Sequence, residues 1–236
     1  TGIGAGMLAN PTSMSGIWFV GSLMMFLFTW FYTVVAGLML MEANLHFPKG
    51  ANLNTMVTQL LGKGWNIFNG ISVAFTLYIL TYAYITSGGS ITKSLLNRFV
   101  PELPINHTFA ALLFCLALAL FVSISTKAVD RMSTILISGM VIAFFLSTTG
   151  LLSSAKSEIL LNTVAHTETS YLPYLFSAIP TCLVSFGYHI CVPTLVNYYD
   201  KKSKKVIYSI LIGSLLALII YISWQIAVQG NLPRGE

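Results

Sequence analysis

The chain has 236 residues, 56% of them hydrophobic and only 8% charged, with a net charge of +5. A soluble domain carries about 25% charged residues, so that class is excluded. Apolar runs of about 20 residues, the length a helix needs to cross a bilayer, recur throughout and predict an all-α polytopic membrane protein. The basic residues sit in short loops between the runs, which reads as a topology signal rather than a nucleic-acid surface. Cys115, Cys182 and Cys191 fall inside apolar segments with no disulfide framework and no metal spacing. They read as buried, inert thiols, and no cofactor or metal is expected.

In chain order, a single transmembrane domain over 1–236 is expected, with spans near 1–15, 17–41, 67–85, 109–124, 135–152, 171–199 and 206–228. The opening TGIGAGMLANP has glycine at positions 2, 4 and 6 and closes on Pro11. A dinucleotide reading of these glycines needs a preceding strand and a βαβ unit, which the sequence lacks. In a membrane chain they permit an unwound segment with exposed amides, with helix resuming near Met7. The span ending at Met41 is followed by Glu42-Ala43-Asn44 and a polar stretch holding a short amphipathic piece from Leu53 to Leu61, which suits the membrane surface. The next span carries Thr76, Tyr78 and Tyr82, the two tyrosines sharing a face at i, i+4. Gly88 to His107 reads as a loop with a short helical piece, Ser125 to Arg131 as a tight connection, and Ser153 to Ser170 as a polar loop.

Tyr171 to Tyr199 is long enough to span a bilayer but is interrupted, with Pro180 and Pro193 bracketing Ser185-Phe186-Gly187-Tyr188-His189. Each internal proline removes a helix hydrogen bond. Freed backbone groups persist in hydrocarbon only where protein or a cavity satisfies them. This element therefore reads either as a polar binding site or as a proline-kinked span packed in a bundle. With the glycine-rich opening it forms a pair of interrupted segments, the sequence pattern of a transporter site at the bilayer midplane. The start without Met and the end just after a span both read as cuts through a longer protein.

Lys49, Lys63, Lys127, Arg131, Lys201, Lys202, Lys204 and Lys205 lie in one set of alternate loops, against Lys93, Arg98, Lys156 and Arg234 in the other. The positive-inside rule then makes loops 42–64, 125–131 and 200–205 cytoplasmic.

No catalytic set is present, so an enzyme is not expected. Apart from Tyr and Cys, His189 is the ionisable residue well inside a span, and Glu42 closes another at its cytoplasmic end. An intramembrane ionisable group is a functional candidate, so both are proton-coupling candidates. The plainer alternatives are a neutral His bonded to a neighbouring helix and an interfacial carboxylate paired with a lysine. An amino acid suits the pair of breaks. Its carboxylate would sit on amides at Gly4, Ala5, Gly6 and Met7, at the positive end of a half-helix. Its ammonium would meet carbonyls near Ser185 and Phe186. Its side chain would face Tyr78, Tyr82, Phe186 and Tyr188, whose rings favour an aromatic substrate, with Thr76 and Gly187 as further substrate-binding candidates.

The stretches Gly4-Ala5-Gly6-Met7-Leu8-Ala9-Asn10-Pro11, Leu38 to Leu45, Leu61 to Asn66, Leu77 to Ile85, Ser125 to Val129, Ser185 to His189 and Gly230 to Arg234 resemble the hydroxy/aromatic amino acid permeases, and within them the bacterial tryptophan permeases. The resemblance covers the whole chain. It implies the inverted-repeat fold of the amino acid-polyamine-organocation superfamily, with broken first and sixth helices, truncated here after the seventh. It also implies proton-coupled import of tryptophan or tyrosine across the bacterial inner membrane. Three departures from those relatives stand out: Asn10 replaces a leucine, Ile190-Cys191 replaces Gly-Asn, and Met140 replaces a lysine. The function expected is thus secondary transport, the alternative being a non-transporting amino-acid-binding receptor or scaffold of the same fold.

Overall fold

The structure, a computed structural model, describes residues 5–99, 105–162 and 172–232. Among them all regular elements are helical: α1 (Ala5–Ser13), α2 (Trp18–Leu45), α3 (Leu53–Leu61), α4 (Lys63–Phe99), α5 (His107–Ile124), α6 (Thr126–Ser154), α7 (Ser157–Leu160), α8 (Leu172–Ser185), a single 3₁₀ turn His189–Cys191, α9 (Val192–Tyr198) and α10 (Ser203–Gln229). Five stretches, Trp18–Leu45, Lys63–Phe99, Val129–Ser154, Pro173–Tyr198 and Ser203–Gln229, are long and apolar enough to cross a membrane; α5 is apolar but shorter. The all-α, multi-pass class is therefore as the composition predicts. Exposed side chains such as Phe28, Phe68, Tyr78 and Leu146 suit contact with lipid.

The chain forms two compact units, residues 1–66 with 146–236, and residues 67–145. The first is organised around α2 and α10, which run antiparallel. At 28 residues α2 is about 42 Å long. It buries Trp18, Ser22, Met25, Phe26, Thr29, Thr33, Gly37, Met41 and Asn44, a stripe at helical spacing. The facing stripe of α10 is Val206, Ile210, Ser214, Leu218, Tyr221, Gln225 and Gln229. Met41 packs with Val206, Ile210, Val192 and Val196, Trp30 Nε1 donates to Ser214 Oγ at 3.2 Å, and Gln225 Nε2 donates to Ser22 Oγ at 3.1 Å. Ser22, Thr29, Thr33, Gly37 and Ser214 are small residues on the seam, where they let the two backbones approach in hydrocarbon. At the far end of α2, Lys201 Nζ reaches the carbonyls of Leu45 (3.1 Å) and Phe47, and Lys49 pairs with Asp200 at 2.6 Å. The short amphipathic piece is α3 as expected, with the Asn52 side chain capping Thr55 N–H at 2.9 Å. Gly62, at φ +90°, turns the chain directly into α4.

In the second unit the expected loop from Gly88 to His107 is corrected: α4 continues to Phe99. Gly88 and Gly89 do not end the helix but bring it against α5. A Cβ at Gly88 would lie 2.3 Å from the Phe114 ring, and one at Gly89 2.7 Å from Ala111 Cβ. Ser90 Oγ and His107 Nε2 meet at 3.1 Å on the same seam. The connection between α5 and α6 is also shorter than expected. Ser125 alone is extended, and Lys127, Asp130 and Arg131 ride on the first turns of α6.

Candidate functional site

Helix α8 stops at Ser185, and regular α-helix resumes at Val192. The interruption falls at Phe186-Gly187-Tyr188, within the stretch that Pro180 and Pro193 bracket, and α8 accommodates Pro180. The Gly187 N–H turns to Val184 O at 3.1 Å rather than to the carbonyl of Leu183, and the Tyr188 N–H closes on Phe186 O at 3.0 Å. The Leu183 carbonyl is thereby left without its helical partner, at the end of α8 where the helix dipole is negative.

Helix α1 runs antiparallel to α8 and crosses it at close range. A Cβ on Gly6 would lie 2.7 Å from Ser185 Oγ and 3.1 Å from Ser185 Cα, and one on Gly16 would meet the Tyr174 ring at 2.3 Å. Ser185 is buried and connects three helices: its Oγ meets Asn10 Oδ1 at 3.0 Å and Thr181 O at 2.8 Å, and its carbonyl accepts from Tyr221 Oη at 2.8 Å. A hydroxyl has one proton, so either Ser185 or the Asn10 amide must be the donor in their contact. Phe186 is buried too, edge-on to Tyr221 (centroids 5.1 Å apart) and to Phe26 (6.4 Å).

His189 and Tyr188 stack at 4.9 Å and both reach Thr33 O on α2, Tyr188 Oη at 2.9 Å and His189 Nε2 at 3.1 Å. A carbonyl only accepts, so in this contact Nε2 is the donor. Gly37, one turn along, leaves room for the tyrosine: its Cβ would sit 2.6 Å from Tyr188 Oη.

Among the residues singled out from sequence, Gly6, Met7, Ser185, Phe186, Gly187, Tyr188 and His189 lie together in the first unit. The main chain of Ala5 opens α1 beside them, and Gly4 falls outside the described residues. Glu42 is exposed, nine residues beyond Thr33 on α2, about 13 Å along the axis. Its main-chain carbonyl accepts from His46 Nδ1 at 2.9 Å. Among the described residues the ion pair formed is Lys49 with Asp200, so the lysine partner imagined for Glu42 is not there. Thr76, Tyr78 and Tyr82 belong to the other unit, exposed on α4, with Thr76 Oγ1 bonded to Ser72 O of its own helix at 2.9 Å. Of the thiols, Cys182 is buried as expected and donates to Met25 O at 3.8 Å, whereas Cys191 is exposed. The sequence reading passed over Tyr221, Gln225 and Gln229, all buried on α10. Their signal was available as polar side chains at i, i+4, i+8 in an apolar span.

A family model described as the tryptophan/tyrosine permease family matches residues 1–236. A tryptophan-specific transport protein of Haemophilus influenzae is 61% identical over 240 residues, covering 100% of this chain and 57% of the relative. A tryptophan-specific transport protein of Pseudomonas aeruginosa is 47% identical, over 100% of this chain and 56% of its own length. A tyrosine permease of Enterobacter agglomerans is 35% identical, again over 100% of this chain and 56% of the relative. The chain thus spans little more than half the length of the curated relatives it matches, and no solved structure matches it. With its all-helical, multi-pass build and a match along its whole length, the chain belongs to the tryptophan/tyrosine permease family.

Proposed function

We propose that the protein containing this chain is a secondary transporter that imports an aromatic amino acid, tryptophan first and tyrosine next, by proton symport across the bacterial inner membrane. Loops 42–64, 125–131 and 200–205 then face the cytoplasm. The observation that carries this reading is the apposition of Gly6 at the start of α1 with Ser185 at the end of α8. With the chain unwound before Gly6, the positive end of the α1 dipole would lie beside the negative end of the α8 dipole. A zwitterion matches that pair, with its carboxylate on the amides of Gly4 to Met7 and its ammonium on the carbonyls around Leu183 to Phe186. The broken-helix, inverted-repeat architecture follows from the same reading. His189, whose Nε2 meets Thr33 O inside the span, is one proton-coupling candidate. Glu42 is a second candidate at the cytoplasmic end of α2.

The test is uptake of labelled tryptophan by cells carrying the full-length protein. Saturable uptake, inhibited by tyrosine and abolished when the proton gradient is collapsed, is expected. Uptake insensitive to the gradient overturns symport alone. Binding of tryptophan with neither uptake nor counterflow overturns transport and favours a receptor.

A further inference from the structure

The buried face of α10 holds more polar groups than its neighbours satisfy. Gln225 is 1% exposed and Gln229 3%, and Asn10 on α1 is 1% exposed. Gln225 gives Nε2 to Ser22, but its Oε1 and both side-chain polar atoms of Gln229 have no protein partner and are sealed from solvent. Native structures leave few such atoms, because each forfeits its hydration without compensation. These amides lie one above another, Tyr221, Gln225 and Gln229 occurring at i, i+4 and i+8 on one face. They lead from Ser185, which Tyr221 holds, to the Gly230 end of α10.

That end is covered by residues 151–160, comprising the last turn of α6 and α7. Four hydrogen bonds hold the cover: Ser154 Oγ to Asn231 Oδ1 (2.7 Å), Asn231 Nδ2 to Leu151 O (2.8 Å), Lys156 N–H to Gly230 O (3.0 Å) and Trp18 Nε1 to Ile159 O (2.9 Å). The two involving Asn231 and the cover are exposed, so water can replace them at little cost. Trp18 has φ +55°, a left-handed conformation that a bulky side chain adopts only when its surroundings impose it. It is the first residue of α2, at the turn out of α1.

We propose that residues 151–160 are a lid on the Gly230 end of α10, and that its release hydrates the Gln229–Gln225 face as a polar passage to Asn10 and Ser185. The closed arrangement leaves Gln225 Oε1 and the Gln229 amide without protein partners, and the open one gives them bulk water and then the polar head of an entering solute. That the solute is an aromatic amino acid rests on the transport reading above; the lid itself does not.

The experiment uses the full-length protein with its native cysteines replaced and a single Gln229→Cys or Gln225→Cys, treated with a membrane-impermeant quaternary-ammonium methanethiosulfonate. Both positions are expected to be labelled in the folded protein. Trp18→Phe should label about fivefold faster, the factor for one lost hydrogen bond. A Ser154→Cys/Asn231→Cys pair, oxidised, should stop labelling, and reduction should restore it. Labelling at the same rate with the pair oxidised or reduced overturns the lid, as does no labelling at either position with Trp18→Phe present. Gated labelling in a protein that moves no tryptophan keeps the lid and removes the transport reading, so the two fail separately.

Discussion

Replacing Gly6 tests the crossing of α1 and α8 at its tightest point. A methyl group at this position would sit 2.7 Å from Ser185 Oγ, 3.0 Å from its Cβ and 3.1 Å from its Cα. The Cα cannot rotate away, and Ser185 is held from two other sides by Asn10 and Tyr221. Overpacking of this kind costs about 1–3 kcal/mol, so Gly6→Ala should lower stability by that amount. Gly6→Val, with two more methyls at the same spot, should abolish tryptophan uptake while the protein still inserts. The strain is local, so a double-mutant cycle isolates it. Ser185→Gly removes the two closest atoms and leaves only the Cα at 3.1 Å. On its own it should cost about 1 kcal/mol for the lost hydrogen bond to Asn10. Combined with Gly6→Ala it should cost clearly less than the sum of the two single changes, a coupling of 0.5 kcal/mol or more. Thermal unfolding of the purified protein in detergent reads the stabilities, and labelled tryptophan reads transport. Strict additivity of Gly6→Ala and Ser185→Gly, or normal uptake by Gly6→Val, would refute the close crossing.

Three further outcomes are expected. The Lys49 ammonium, first by its hydrogen bond and then by its charge, holds the Asp200 carboxyl below its usual value. This depressed group adds stability above the ordinary carboxylate range of about 4, and that stability is lost as pH falls through the lowered value. Asp200→Asn should therefore flatten the acid side of a stability-against-pH curve, and an unchanged curve would remove the pair from the account. In the second unit, Gly89→Val should disrupt the α4–α5 seam, because its Cβ would lie 2.7 Å from Ala111 Cβ. Ala111→Gly should partly restore the melting temperature, and no rescue would contradict the crossing. Tyr188→Phe should cost about 1 kcal/mol through loss of its bond to Thr33 O, with the pH profile of uptake kept. His189→Gln should instead weaken the dependence of uptake on the proton gradient; an unaltered gradient dependence would take His189 out of the coupling route.

How much of this was legible in the sequence differs from element to element. The interruption after Ser185 was legible because glycine, serine and two prolines are crowded into one apolar run. Its position was legible too, because the two prolines bracket Ser185 to His189, and the helix is interrupted at Phe186-Gly187-Tyr188 while α8 tolerates Pro180. Gly88-Gly89, by contrast, misled. A glycine pair reads as a helix end when only local propensity is weighed, but against Phe114 and Ala111 the missing side chains are what allow two helices to touch. Asn10 stood out as a departure from relatives, while its partner Ser185, 175 positions away, is visible only in three dimensions. Gln225 and Gln229 escaped because a search for ionisable groups overlooks neutral amides, although in an apolar span an amide also needs a partner. The tilt of α1 that brings Gly6 to Ser185 depends on packing among helices, and no local pattern encodes it.

The most direct measurement is competition against labelled tryptophan by two analogues, tryptophan methyl ester and indole-3-propionate, in binding to the full-length protein. If opposed helix ends hold both charges of the amino acid, removing either charge forfeits hydrogen bonds worth about 1.5–3 kcal/mol. Each analogue should then bind at least tenfold more weakly than tryptophan. Competition by both as strong as that of tryptophan itself would contradict the account.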